Sequence, residues 1–342
     1  MGWYDAVGRP VFSAIPPEAA HRLAAGLLSV PLPWSRIGGA ARDPGLEVDL
    51  AGVRLSNPLG LAAGFDKTCR HVDALGALGF GYVVAGTITR AARGGNPKPR
   101  IVRYPGRASM TNAMGLPNPG AHVAAANLAR SRRPTPTFVS IADEAVEDAL
   151  ASAAAVEPYA DGLELNASCP NVSWGRDREQ EAHLRDLVTA LRFRSGRPLF
   201  VKLPPFRPGT ERDVVLALAT IAREAGADGF VCGNTRPVHD PHLAVGAGGV
   251  SGRALWGRTT DSVSEMCRAL GGPVVACGGI FDADDASACL EAGAAAMQIY
   301  TSFVLRGPGV IGSITRGLAS RLKTDPSADG GKRPAGLSDQ RS

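Results

Sequence analysis

The sequence predicts an α/β protein, a (β/α)8 TIM barrel carrying an N-terminal helical extension. Eight short apolar runs recur at regular intervals, helix-like stretches separate them, and Asn57 to about Leu322 matches the ~250 residues of such a barrel. The runs are nearly continuous in apolar residues, as a parallel sheet covered on both faces requires. A doubly wound open sheet is the rival architecture. No GxGxxG follows the first run, and eight regular units would make a large open sheet, so the barrel is preferred.

In chain order the expected strands are Asn57–Gly64, Tyr82–Thr87, Thr137–Ala142, Gly162–Ser168, Leu199–Leu203, Gly229–Asn234, Pro273–Gly279 and Ala296–Thr301. Helices are expected over Glu179–Arg194, Glu211–Ala225, Ser262–Leu270 and Asp284–Ala292, with glycines in AGADGF and AGAAAM ending helices before the next strand. Leu46–Leu55 alternates around Ala51-Gly52 and reads as a hairpin closing the barrel bottom. Residues 1–40 place Trp3, Tyr4, Val7, Val11 and Phe12, then Ala19, Ala20, Leu23, Leu27 and Leu28, at helical spacing, broken by Pro16-Pro17. The periodicity fits either a helical pair packed on the barrel or an amphipathic pair lying in a membrane interface. The organisation expected is an extension (1–40), a barrel (41–322) and a disordered tail (323–342).

Composition narrows the function classes. With 44% hydrophobic and 20% charged residues the chain can bury a sizeable core, and it contains no apolar run long enough to span a bilayer. MGWYDAVGRP lacks the features of a secretory signal, so a cytoplasmic address is expected. The six cysteines (69, 169, 232, 267, 277, 289) show no CxxC and no metal-ligand spacing, and are expected to be free thiols, all but Cys169 structural. A net charge of +5 is spread along the chain without a nucleic-acid-binding signature, so no nucleic-acid partner is expected. Only five of 37 basic residues are lysines, which singles out Lys67 and Lys202 at strand ends as positions that want a compact point charge.

Barrel chemistry sits where strands leave the C-terminal face. That rim carries Ala63-Gly64 with Lys67, then Thr87, Ser140, Asn166 with Cys169 and Asn171, Lys202, Asn234-Thr235, Gly278-Gly279 and Tyr300-Thr301. No carboxylate pair or His cluster stands out, which speaks against glycosidase and metal-hydrolase chemistry, and no metal is expected. Gly278-Gly279, the turn after Tyr300-Thr301, and Gly248–Gly252 on the loop after strand six read as backbone donors to a phosphate; the plainer reading is tight turns. Cys169, flanked by amides and without an obvious His partner, suits proton abstraction better than papain-like attack. A thiol with an ordinary pKa near ~8.5 becomes a base with modest help from a nearby lysine.

The motifs NPLGLAAGFDK (57–67), GT-x-T (86–89), KPRIVR (98–103), NAMGLPN (112–118), LNASCPN (165–171), VKLPP (201–205), GNT (233–235), GGVSGR (248–253), ACGGI (276–280) and QIYT (298–301) occur in order and near the spacing of one family. The sequence resembles dihydroorotate dehydrogenase over about residues 1–320. The resemblance implies an FMN-containing barrel that oxidises (S)-dihydroorotate to orotate in pyrimidine biosynthesis. By position it implies that Ala63, Gly64, Lys67, Thr87, Ser140, Asn166, Lys202, Gly233, Gly252, Gly279, Tyr300 and Thr301 hold FMN. Lys67, Asn112, Ala113, Met114, Gly115, Leu116, Asn166, Asn171, Asn234 and Thr235 would hold the pyrimidine, and Cys169 would be the catalytic base. PPEAAHRL (16–23) and Arg103 resemble the quinone-linked class. This implies a quinone acceptor with Arg103 at its site, residues 1–40 on a membrane surface, and a peripheral location on the cytoplasmic side of the cell membrane.

Three positions depart from the family pattern. Cys169 stands where the quinone-linked class usually has serine and resembles the soluble class. Ser140 replaces a flavin-contacting asparagine, and Pro117 replaces a polar residue of the substrate stretch. Alternatives from the residues themselves are a related flavin oxidoreductase acting on another cyclic amide or using a soluble acceptor, a Schiff-base aldolase using Lys67 or Lys202, and a catalytically silent binding barrel.

Overall fold

The computed structural model describes Tyr4 and residues 8–167, 178–207 and 209–324. Its centre is a closed barrel of eight parallel strands: Leu59–Leu61, Tyr82–Ile88, Thr137–Ile141, Gly162–Asn166, Leu199–Leu203, Gly229–Cys232, Val274–Cys277 and Ala296–Ile299. Each pairs with the next in sequence, and the eighth pairs with the first through Met297↔Leu59. All eight expected runs form strands, several ending earlier than expected. The polar residues at their C-terminal ends leave the ladder and form the rim.

Every strand is followed by a helix: Val72–Ala77, Ala121–Leu128, Val146–Val156, Arg178–Arg194, Thr210–Glu224, Trp256–Leu270, Ala283–Glu291, and finally Thr301–Arg306 with Gly309–Thr324. Lys323 and Thr324, expected in the tail, are instead the last residues of that final helix. Acidic residues begin several helices, Glu211 and Asp213 in one and Asp284 and Asp285 in another, where they complement the helix dipole. Asp282 completes a capping box with Asp285.

The barrel interior is packed by pairing glycine with aromatic rings. Gly60 faces Tyr82, Gly162 faces Phe138 and Gly229 faces Phe200 in register. A Cβ on these glycines would lie 2.3, 2.3 and 2.4 Å from the facing rings. Tyr82, Phe138 and Phe200 therefore fill the lower barrel as a buried stack of edge-to-face contacts, with centroids 5.6 and 5.8 Å apart. Leu50 and Leu55 from the antiparallel hairpin Val48–Leu50/Val53–Leu55 complete this plug. Among the described residues the barrel is closed below and opens at its C-terminal face.

A second, four-stranded antiparallel sheet stands outside the barrel, in the order Arg236–His239, Ala247–Gly252, Ser109–Asn112, Ile101–Tyr104. It is built from the loops after barrel strands two and six. Gly248–Gly252, expected on a loop, is thus part of a strand, with Gly252 at its end lining the cavity. A Cβ on Gly248 would meet the Asn112 carbonyl oxygen at 2.4 Å, and one on Gly249 would meet Thr235 Oγ1 at 2.0 Å. These glycines let the sheet approach the barrel rim.

The N-terminal segment forms helices Arg9–Ala14 and Pro17–Leu28, with proline in the first turn of each. Ala20 is the buried residue of the second helix, while Val11, Leu23, Leu27, Val30 and Leu32 are exposed. None of the described helices is long and apolar enough to cross a membrane.

Candidate functional site

The open end of the barrel holds a cavity. Ala63, Gly64, Lys67, Thr87, Asn112, Met114, Leu116, Asn166, Lys202, Asn234, Thr235, Gly252, Gly279, Tyr300 and Thr301 all line it. Residues from seven barrel strand ends and the outer sheet thus converge on one space.

At its floor Lys202 is almost wholly buried. Its Nζ donates to Gln298 Oε1 at 3.0 Å and lies 3.5 Å from Glu164 Oε1, while Gln298 Nε2 donates to Glu164 Oε2 at 2.8 Å. Burial opposes the ammonium, but Cys277 and Glu164 beside it more than offset this and hold its pKa above the usual lysine value. Cys277, read from sequence as structural, faces the cavity, and burial raises its thiol pKa against the pull of Lys202. Glu164 and Gln298 escaped the sequence reading because they lie one layer beneath the mouth. The available signal was period two: Glu164 and Asn166 share the inner face of one strand.

At the other end of the cavity, Gly278 and Gly279 have φ of +130° and +73°, conformations that suit glycine. A Cβ on Gly279 would sit 2.8 Å from Trp256 Cα. Next to this turn, Thr301 Oγ1 donates to Ser251 Oγ at 2.9 Å. Ser302, also missed from sequence, lines the same wall, and its buried Oγ has no hydrogen-bond partner among the described residues. An orphaned buried hydroxyl beside a glycine turn is chemistry suited to an anionic oxygen.

The remaining wall is rich in amides. Asn234 Nδ2 donates to Asn166 Oδ1 at 3.3 Å, and Asn234 Oδ1 accepts from the Thr235 amide at 2.7 Å. Lys67 Nζ donates to the Gly64 carbonyl. Burial, then the nearby Arg100, pulls the Lys67 pKa down to about 8 against the opposing influence of Asp66 and Glu18. Above this wall His21 sits edge-on to Phe65, 5.3 Å between centroids, and Phe65 in turn meets Tyr300 at 5.9 Å. Burial, with Lys67 and His71 near, depresses the His21 pKa to about 4. Burial pushes the Tyr300 phenol up to about 12.

Other expected site residues are placed differently. Ser140 is fully buried off the cavity wall and shares a 3.0 Å hydrogen bond with Thr87 Oγ1, so its contact with the site is through Thr87. Gly233 also lies behind the wall, where a Cβ would meet the Cys277 carbonyl oxygen at 1.8 Å. Ala113 is buried and Gly115 turns away, at φ +67°, so in this stretch Asn112, Met114, Leu116 and Pro117 line the cavity. Arg103 is engaged by the N-terminal helices: its guanidinium donates to the carbonyls of Phe12 (2.7 Å), Ser13 (3.4 Å) and Ile15. Cys169 and Asn171 lie outside the described residues. Among the described residues no group of three His, Cys, Asp or Glu is placed to hold a metal ion.

The family model described as dihydroorotate dehydrogenase matches residues 45–322. The chain belongs to the dihydroorotate dehydrogenase family. Among curated relatives, a dihydroorotate dehydrogenase (quinone) of Clavibacter michiganensis subsp. michiganensis is 38% identical, with 94% of this chain and 99% of the relative aligned. Another of that name, from Roseiflexus sp., is 35% identical over 93% and 94% of the two chains. The crystal structure of DHODH in complex with ferulenol from Eimeria tenella superposes with a TM-score of 0.79 at 30% identity, covering 90% of this chain and 92% of that one. Family membership thus extends over the barrel, and the relatives' alignment extends into the N-terminal helices.

Proposed function

We propose that the protein oxidises (S)-dihydroorotate to orotate in pyrimidine biosynthesis, using FMN, and passes the electrons to a quinone at a membrane surface. The observation that carries this reading is the cavity itself. It joins a buried cation at the floor, an orphaned hydroxyl at a glycine turn and a wall of amides, which are the partners of a flavin ring, its phosphate and a cyclic imide.

The residues present fit FMN. Gly252, Gly279, Thr301 and Ser302 would hold the phosphate; Ala63, Gly64, Thr87, Asn166 and Lys202 would hold the ring. The chemistry FMN supplies when bound is acceptance of a hydride from C6 of the substrate. Lys202 stays cationic because Glu164 and Gln298 pin its ammonium, and a fixed positive charge there balances negative charge on a reduced ring. Asn112, Asn166 and Asn234 supply paired donors and acceptors to the substrate's imide edges, and an analogue lacking those edges would leave the amides unpaired. Lys67 supplies the charge for the substrate carboxylate, and Cys169, by its place in LNASCPN, takes the proton from C5.

The exposed apolar residues of the two N-terminal helices support docking on a membrane surface. The aromatic sequence His21, Phe65, Tyr300 supports access of an apolar acceptor from that side. A Schiff-base mechanism at Lys202 is disfavoured, since it needs a neutral amine and this one is held as an ammonium by an ion pair.

The test is anaerobic mixing of the yellow protein with dihydroorotate. Bleaching of the flavin band followed by reoxidation with quinone is expected. A band that persists at saturating dihydroorotate would overturn the substrate, and colourless protein that takes up no flavin would overturn the cofactor. Cys169→Ala should keep FMN yet slow bleaching by orders of magnitude; equal rates at neutral pH would remove its role as base.

A further inference from the structure

Glu18 is the sole acidic residue of the helix Pro17–Leu28 and sits in its first turn. It faces inward. Its Oε1 accepts from Arg100 Nε at 3.0 Å and Nη2 at 2.9 Å, and Lys98 Nζ lies 3.7 Å from Oε2. Arg100 is buried, so this is a charge pair largely withdrawn from solvent. The third guanidinium nitrogen, Nη1, donates to the carbonyls of Gly94 (2.8 Å) and Asn96 (3.1 Å).

Asn96 carries the connection onward. Its side chain donates to the Ala113 carbonyl at 3.1 Å, and its backbone N–H donates to the Met114 carbonyl at 3.0 Å. The Arg100 carbonyl itself accepts from the Ala113 amide at 2.9 Å. The packing leaves no slack: a Cβ on Gly95 would lie 2.4 Å from both Arg100 Nη1 and the Met114 oxygen, and one on Gly115 would lie 2.6 Å from Asn96 Oδ1. Arg100 and Glu18 also act on Lys67 in opposite senses, so loss of Glu18 would leave the Arg100 charge uncompensated beside it.

We propose that Glu18 is a positioning residue for the substrate, coupling the seat of the N-terminal helix to the Asn112–Leu116 stretch through Arg100 and Asn96. This rests on the reading that Asn112–Leu116 grips the pyrimidine. The coupling is reciprocal: substrate binding tightens the helix seat by the same factor by which the seated helix tightens substrate. An exposed carboxylate on the same helix would contribute little. A pair that also fixes two backbone segments is expected to shift affinity about tenfold, within the range usual for coupled sites.

The experiment uses the full chain loaded with FMN and titrates orotate by the change in flavin absorbance. Glu18→Gln should weaken orotate about tenfold and raise KM for dihydroorotate, leaving kcat with a soluble dye acceptor near that of the wild type. Arg100→Lys, which keeps the charge but loses the fork, should fall between them. In the wild type, orotate should slow amide hydrogen exchange across residues 17–28, and in Glu18→Gln that protection should vanish. Wild-type orotate affinity in Glu18→Gln, or exchange in 17–28 that ignores orotate in the wild type, would overturn the coupling. Asn112→Ala tests the underlying reading separately: normal orotate affinity in that variant would sink the substrate stretch itself.

Discussion

Enclosed by the barrel at 1% exposure, the Glu164 carboxylate finds its counter-charge at Lys202, 3.5 Å away, and its amide partner at Gln298. Removing one member of such a pair leaves a desolvated charge, which costs about 3–5 kcal/mol, whereas replacing both by apolar groups is often neutral. Glu164→Leu should therefore lose about that much in equilibrium urea unfolding, and Glu164→Leu/Lys202→Met should recover most of it. Equal stability of the single and double variants would show that the pair is not coupled. Lys67 makes a pH prediction. With its pKa lowered to about 8 in the folded protein, the ammonium proposed to meet the substrate carboxylate is intact below pH 8 and lost above it. Orotate affinity should be flat below that pH and fall with each unit above, while Lys67→Met should bind weakly without this inflection. The same shift means the unfolded chain holds the Lys67 proton to higher pH, so this residue's contribution to stability becomes more favourable between about 8 and the ordinary lysine value. Lys67, Asn166 and Lys202 were legible in sequence because polar residues at the exits of apolar strands stand out. Glu164, Gln298 and Ser302 were not singled out: two lie inside strand runs and one just beyond the final exit, where burial, not residue type, carries the information.

The strands show why the barrel itself could be read and the outer sheet could not. The barrel runs are apolar on both faces and separated by helix-like stretches, so length and composition suffice. Ile101–Tyr104, Ser109–Asn112, Arg236–His239 and Ala247–Gly252 are short and in one case glycine-rich, and pairing within their sheet joins segments more than a hundred residues apart. Nothing local in AGGVSG announces a strand. Its glycines are selected by the close approach of Asn112 and Thr235, which exists only after folding. Inside the barrel, the pairing of glycine with aromatic rings predicts a specific epistasis. Gly162→Ala would place a Cβ 2.3 Å from the Phe138 ring and should cost about 1–3 kcal/mol by overpacking. Adding Phe138→Leu should return part of that loss, although the second change alone is destabilising. The double-mutant cycle by urea unfolding checks it, and additive losses would mean that the two positions do not share the space.

At the scale of the whole molecule, the barrel is plugged below and its cavity opens at the C-terminal face, and the N-terminal helices are held to the barrel's outer sheet and loops by Arg103 and Arg100. Val11, Leu23 and Leu27 of these helices, with Val30 and Leu32 just after them, are 40–49% exposed, a group of aliphatic side chains that the described residues do not cover. A half-exposed leucine transferred into an apolar medium gains about 1 kcal/mol. On the proposed reading, five such residues would let this surface partition reversibly onto lipid, as an interfacial helix does. Leu23→Ser/Leu27→Ser should therefore reduce vesicle binding by about 30-fold, the factor that corresponds to losing about 2 kcal/mol. Because the attraction is apolar, raising the salt concentration should change binding little, in contrast to a surface held by the chain's excess of positive charge. Flavin reduction by dihydroorotate should be unaffected in this variant, since Glu18 and the strut to the substrate stretch are retained. Reoxidation by a quinone embedded in vesicles should slow in proportion to the lost binding, while reoxidation by a soluble dye should not. If the doubly substituted protein sediments with vesicles as the wild type does, the membrane-facing role of the helix pair is wrong. If it fails to sediment yet turns over vesicle-bound quinone at the wild-type rate, the helices are not the path by which the acceptor reaches the flavin.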